Sequence, residues 1–189
     1  MKNFIPVIII LITSAAPLKA DVSPLIPDTV VAQFAGYTGF MSSGAGYEFL
    51  SDRINLELFY GYVPESEGGI DIHMLTLRSV ISPLRFSPHN GYTIYLLTFG
   101  FFVNYAIGDQ YKVVWPSVYP EWYYRPTALY TGESIGIRIK KNTGREIIKA
   151  VELYADIVTM SEYLYEYIEN DRVKLQYIIS LAIGMRLHF

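Results

Sequence analysis

Asp71 and His73 stand two positions apart in a stretch that reads as a β-strand. Residues two apart on a strand share a face, so a carboxylate and an imidazole are presented together. With a hydroxyl in reach, such a pair has the makings of acyl-transfer or hydrolytic chemistry: the imidazole takes the hydroxyl proton and the carboxylate orients the imidazole. Ser66, in the adjoining loop, is the hydroxyl that would have to be supplied, and no His-x-Ser pattern places one closer. Without a placed nucleophile, Asp71 and His73 read more simply as a polar pair at a strand end, satisfied by water or tyrosine. Glu65, Glu67, Asp71 and His73 could also gather around a divalent cation, though acidic loops are usually just solvated. We therefore expect no metal site and no cofactor. The other two histidines, His89 and His188, fall in an expected turn and at the penultimate position.

The pair belongs to the fourth of eight segments in which apolar residues tend to recur at every second position, the period of a strand with one apolar and one wet face. The segments span about residues 29–37, 44–50, 54–62, 70–81, 92–105, 129–140, 146–159 and 172–189. The last is the clearest: Tyr177, Met185, Leu187 and Phe189 lie on an apolar face opposed by small, polar and basic residues. In the fifth, Tyr95, Leu97, Phe99, Phe101, Val103 and Tyr105 share a face. The fourth breaks its own alternation, and a bulge near residues 73–75 would reconcile it. Opposite the apolar faces stand Glu48, Glu57, Glu152 and Asp156, with Arg138 and Arg186 of the other sign. Short turns are expected at residues 51–53 and 142–144, and loops at 64–69, 82–91 and 161–170, where Ser161 could cap one helical turn. The longest loop, residues 107–127, carries Trp115, Tyr119, Trp122, Tyr123 and Tyr124 between prolines, which suits an exposed interaction patch or rings folded back on a rim.

The chain of 189 residues is enough for one domain and contains no cysteine, which excludes disulfides and thiolate metal sites. A net charge of −3 without a basic block argues against nucleic acid as a partner. Residues 1–20 read as a cleaved signal peptide: Lys2, then an apolar run from Phe4 to Ile12, then small residues to Ala20, with Ala16 as the rival cleavage point. Residues 21–28 form a lead-in. No later stretch is apolar for long enough to cross a bilayer as a helix.

A long terminal strand ending on Phe189, apolar at alternate positions, behind an export leader, resembles the closing strand of Gram-negative outer-membrane β-barrels. By strand count the chain is similar to the small barrels of the OmpA transmembrane-domain and OmpX kind. The resemblance covers about residues 29–189, with no peptidoglycan-binding domain expected beyond them. It implies an all-β, eight-stranded antiparallel up-and-down transmembrane β-barrel, with apolar faces toward lipid and the charged set pairing inside. The 17 tyrosines then suit interfacial girdles. Both ends would be periplasmic, which puts His188 on the side away from the outer leaflet.

The implied partners are outer-membrane lipids and lipopolysaccharide, the barrel-assembly machinery through the C-terminal strand, and a protein at the outer loops. Eight strands leave an interior that side chains fill, so the expected role is structural or surface-interacting rather than that of an open pore. The main alternative is a lipid A-modifying, deacylase-like acyl hydrolase using His73 with Asp71 at the outer leaflet, since two small barrel families modify lipid A. A second is an accessory subunit of a larger outer-membrane complex.

Overall fold

The period of two carries through eight strands that close on themselves. The computed structural model describes residues 26–88, 90–113 and 127–189. The signal-peptide reading, most of the lead-in, His89 and the aromatics Trp115, Tyr119, Trp122, Tyr123 and Tyr124 lie outside the described residues. The strands are β1 (Thr29–Phe34), β2 (Met41–Phe49), β3 (Ile54–Val63), β4 (Ile72–Phe86), β5 (Tyr92–Ile107), β6 (Leu129–Asn142), β7 (Ala150–Met160) and β8 (Ile179–His188). Each pairs antiparallel with the next, and β1 pairs with β8 from Thr29↔His188 to Phe34↔Ile183, so the sheet is a closed up-and-down barrel. One mouth, the terminal end, holds the start of β1, the finish of β8 and the links at residues 50–53, 87–91 and 143–149. The opposite, loop end holds the connections 35–40, 64–71 and 161–178, with the described residues 108–113 and 127–128. Among the described residues two α-helices lie at the loop end: α1 (Glu65–Gly68) and α2 (Ser161–Glu169).

Several boundaries and faces differ from the sequence expectation. β4 has no bulge at residues 73–75, since its pairing with β3 and β5 is uninterrupted from His73 to Ile81. Its alternation looked broken because Ile72 and Met74, which line a cavity at the loop-end mouth, share an inward face with Thr76 and Arg78 lower down. β4 also runs on through Pro83, which sits in the register shift between Ile81 and Leu84. A proline is tolerated in a strand where the ladder is already irregular. The expected loop at residues 82–91 thereby shrinks to 87–91.

In β5 the register against β6 shifts between Tyr95 and Thr98, and the faces reverse across it. Tyr95 therefore points inward, fully buried, while Leu96 faces out with Phe99, Phe101 and Tyr105. β7 starts at Ala150, so its link to β6 is longer than a tight hairpin. β8 starts at Ile179; Tyr177 lies before it in a short 3-10 turn, Leu175–Tyr177. Ser161 is inside α2 rather than at its N-cap, which is Met160, and its hydroxyl donates to Glu133 at 2.7 Å.

Candidate functional site

Alternation sorts the side chains of this wall into two sets of opposite polarity. Outside stand Leu58, Leu153, Leu181, Ile183 and Met185, each 42–59% exposed. Inside, Glu57, Arg78, Arg138, Glu152, Asp156 and Arg186 are all buried. The six form three acids and three guanidiniums, a balanced set, as burial of charge demands.

Glu57 on β3 is the hub. Its Oε2 accepts from Arg78 Nε at 2.8 Å and its Oε1 from Arg186 Nε at 2.7 Å. Arg186 also pairs with Glu152, and Arg138 lies 3.6 Å from that same carboxylate. Arg78 Nη1 donates to Gln33 at 2.7 Å and lies 3.5 Å from Asp156. Arg138 donates to Asn55 at 2.6 Å, to Ser82 at 2.5 Å and to the Asp52 carbonyl at 3.0 Å. The guanidiniums are also flanked by rings. Arg78 lies 4.8 Å from the Phe59 centroid and 5.0 Å from that of Tyr154, and Arg138 lies 4.1 Å from Tyr95. Tyr154 in turn donates to Gln33 at 2.8 Å.

Toward the terminal end the network continues in the half-buried Glu48, Asp52 and Lys140 and the buried His188. Glu48 Oε1 lies 3.0 Å from His188 Nδ1 and accepts from Asn55 at 3.2 Å. Lys140 donates to Asp52 at 2.8 Å and lies 3.1 Å from His188. Asp52 belongs to the β2–β3 turn, where Leu50, Ser51 and Asp52 all take positive φ (52°, 56° and 63°). Such a run is strained for residues with a Cβ. Basic side chains brace it, since Arg85 donates to the Ser51 carbonyl and Arg138 to that of Asp52. Burial pushes the Asp52 carboxyl up, but bonding and charge from Lys140, with help from Arg85, outweigh this and leave it below its ordinary value.

At the loop end the interior changes character. An aromatic cavity of about 270 Å³ is lined by Tyr37, Met74, Tyr111, Tyr130, Met160 and Tyr163. Asn104 stands in its lining, donating to the Tyr37 carbonyl at 2.6 Å and accepting from Thr76.

Asp71 and His73 are on the outer surface at this end, and each is engaged by a different tyrosine. Tyr60 Oη lies 2.6 Å from His73 Nδ1, and Tyr62 donates to Asp71 at 2.7 Å. The Tyr62 bond, joined by the backbone N–H of Glu65, holds the Asp71 carboxyl below its usual range. His73 stacks on both rings, with centroids at 5.9 and 5.1 Å. Among the described residues no Ser or Thr hydroxyl bonds to His73, so no nucleophile–base couple is assembled there. The same residues hold no group of three or more acidic or imidazole ligands arranged for a metal ion.

Sequence reasoning left Arg78, Gln33, Asn55 and Tyr154 outside the charged set. Arg78 had a usable signal: it shares parity with Thr76 and Ser82 in β4 once the bulge is discarded. Gln33 and Asn55 were legible as inward positions, yet their roles depend on which arginine reaches them across the lumen.

No family model and no curated protein matches this chain. Among solved structures it is similar to the N-terminal β-barrel domain of Pseudomonas aeruginosa OprF, with 15% identity over 86% of this chain and 98% of that one, at a TM-score of 0.41.

Proposed function

We propose that this protein is an outer-membrane β-barrel with a structural or surface-interaction role and a closed lumen. The observation that carries the reading is the inverted polarity of the wall. Large apolar side chains face outward on all eight strands, while buried charges pair across the interior. A water-soluble barrel of this size has the reverse arrangement, and soluble monomers rarely expose contiguous apolar surface beyond a few hundred Å². Lipid is the solvent such a wall fits, and closure satisfies every backbone ladder without an edge. The ion pairs that bridge β3, β4, β7 and β8 through the interior support a filled lumen rather than a diffusion path. Outer-membrane lipids and lipopolysaccharide are the surroundings this implies, with assembly through β8 and a protein partner at the loop end as further expectations. For the deacylase reading, His73 meets Tyr60 rather than a serine or threonine hydroxyl among the described residues.

The test is refolding of residues 21–189 into detergent, with far-UV circular dichroism and gel mobility compared before and after boiling. A β spectrum that requires detergent, with a heat-dependent mobility shift, is expected. A folded, soluble protein in plain buffer would overturn the membrane reading and leave the wall to be explained as a protein-binding surface.

A further inference from the structure

Four tyrosines from four separate elements converge at the loop-end mouth. Tyr37 comes from the β1–β2 link, Tyr111 from the chain after β5, Tyr130 from β6 and Tyr163 from α2. The Tyr37 and Tyr163 rings meet edge to face, with centroids 6.2 Å apart and planes at 62°. The Tyr130 phenol is within electrostatic reach of those of Tyr111 and Tyr163 and of the Glu162 carboxylate. With Met74 and Met160 these rings line the cavity of about 270 Å³. That is near the lower edge of the roughly 300–1,000 Å³ of small-molecule sites. Asn104 in the lining is already engaged by Thr76 and the Tyr37 carbonyl.

Two observations decide what such a cavity takes. None of the described side chains that line it is charged. A primary ammonium would find no carboxylate there for its N–H donors, and an anion would find no cation. Around the cavity, however, one sign of charge prevails. The described connections 64–71, 108–113 and 161–178 carry eight acidic side chains and three basic ones. Such a field concentrates cations at the mouth and repels anions. A quaternary ammonium meets both conditions. It is positive, yet it has no N–H to leave unpaired, and aromatic rings and thioethers are the surroundings that suit it.

We propose that the tyrosine-lined cavity is a binding site for a small organic cation of the quaternary ammonium class. The acidic connections draw the cation to the loop end, and Tyr37, Tyr111, Tyr130 and Tyr163 enclose it. The site lies inside the mouth, so it depends on the barrel fold and not on lipid around the wall.

The test is an NMR titration of the refolded protein in octyl glucoside, a detergent without a cationic headgroup. The probe is choline. Two controls accompany it: dimethylbutanol, in which carbon replaces the choline nitrogen, and ethanolamine, which keeps the charge but carries N–H donors. Choline should bind about tenfold more tightly than either. Tyr163→Leu, at the exposed rim, should reduce the preference for choline over dimethylbutanol several-fold. Ala106→Phe, which fills the cavity from β5, should abolish binding of both. Equal affinity for choline and dimethylbutanol would overturn the proposal, as would equal affinity for choline and ethanolamine. So would an unchanged preference in Tyr163→Leu. Full choline binding in Ala106→Phe would leave only attraction to the acidic surface. The boiling-dependent gel shift, read on the same samples, confirms that each variant has formed the barrel. Should the wild type fold without detergent, the titration runs in plain buffer, so the membrane reading and this site fail separately.

Discussion

Glu57 engages two guanidiniums, Arg78 and Arg186, with both of its oxygens and no exposure to solvent. Replacing it with Gln leaves the lumen with three buried arginines against two carboxylates, an excess that the packed interior cannot hydrate. The expected cost is about 3–5 kcal/mol, as for removal of one partner of a buried ion pair. The midpoint of urea unfolding in lipid vesicles, read by the gel shift, measures it. Replacing Glu57 and Arg186 together with leucine should restore most of the loss, because the charges that remain balance as Arg78 with Asp156 and Arg138 with Glu152; a double variant as unstable as Glu57→Gln would show that packing, not charge, is responsible.

Asp52 gives a second prediction. Its folded carboxyl is more acidic than in the unfolded chain, so the folded state binds fewer protons between the two values. Its contribution is complete above an unfolded value of about 3.9 and is lost as pH falls through the lower folded one. Asp52→Asn should therefore be less stable than the wild type at neutral pH and lose less on acidification. Parallel acid limbs for the two proteins would contradict this.

At the level of strands, β7 and β8 are fitted to each other by one small residue. Gly184 pairs with Tyr154, and a Cβ at residue 184 would collide with the Tyr154 ring. That ring is fixed by its bond to Gln33 and by the guanidiniums of Arg78 and Arg186 against it. Gly184→Ala should cost about 1–3 kcal/mol by overpacking. In a Tyr154→Leu background the added cost should be smaller, a non-additivity that a double-mutant cycle in urea reads directly. Strict additivity would mean the ring moves aside freely.

The same strands show what a period of two can and cannot reveal. It exposed all eight strands and the polarity of β3, β7 and β8, because one face of each is continuous in character. It misplaced Tyr95 and led to an expected bulge at residues 73–75 of β4 that the ladder does not have, each for a physical reason. A bulge shifts parity by one residue without changing composition, so in β5 the reversal at Leu96 is invisible where both faces carry aromatic and aliphatic residues. In β4 the interior itself changes from polar to aromatic toward the loop end, so an inward residue there looks like an outward one. Within the candidate site, the identities of Glu57, Arg138, Glu152, Asp156 and Arg186 were legible from their parity. The hub role of Glu57 was not, since long arginine side chains choose partners on strands that the sequence does not order in space.

For the barrel as a whole, the filled lumen sets an expectation for transport. Buried ion pairs cross between β3, β4, β7 and β8, and the rings of Phe59 and Tyr154 lie against their guanidiniums. In a planar bilayer the wild type should show no stable ohmic step, and vesicles containing it should not swell in a small-sugar solution. A steady conductance that disappears on boiling the sample would remove the closed-lumen reading while leaving the wall intact. The continuous ladder from β1 round to β8 has a further consequence for recognition. A finished ring offers no unpaired strand, so a partner that binds by adding a strand finds no purchase on it. Such a partner can hold β1 or β8 only while the two are apart. Pairing of Thr29 with His188 and of Phe34 with Ile183 takes that handhold away, so a partner of this kind would be released as the fold completes.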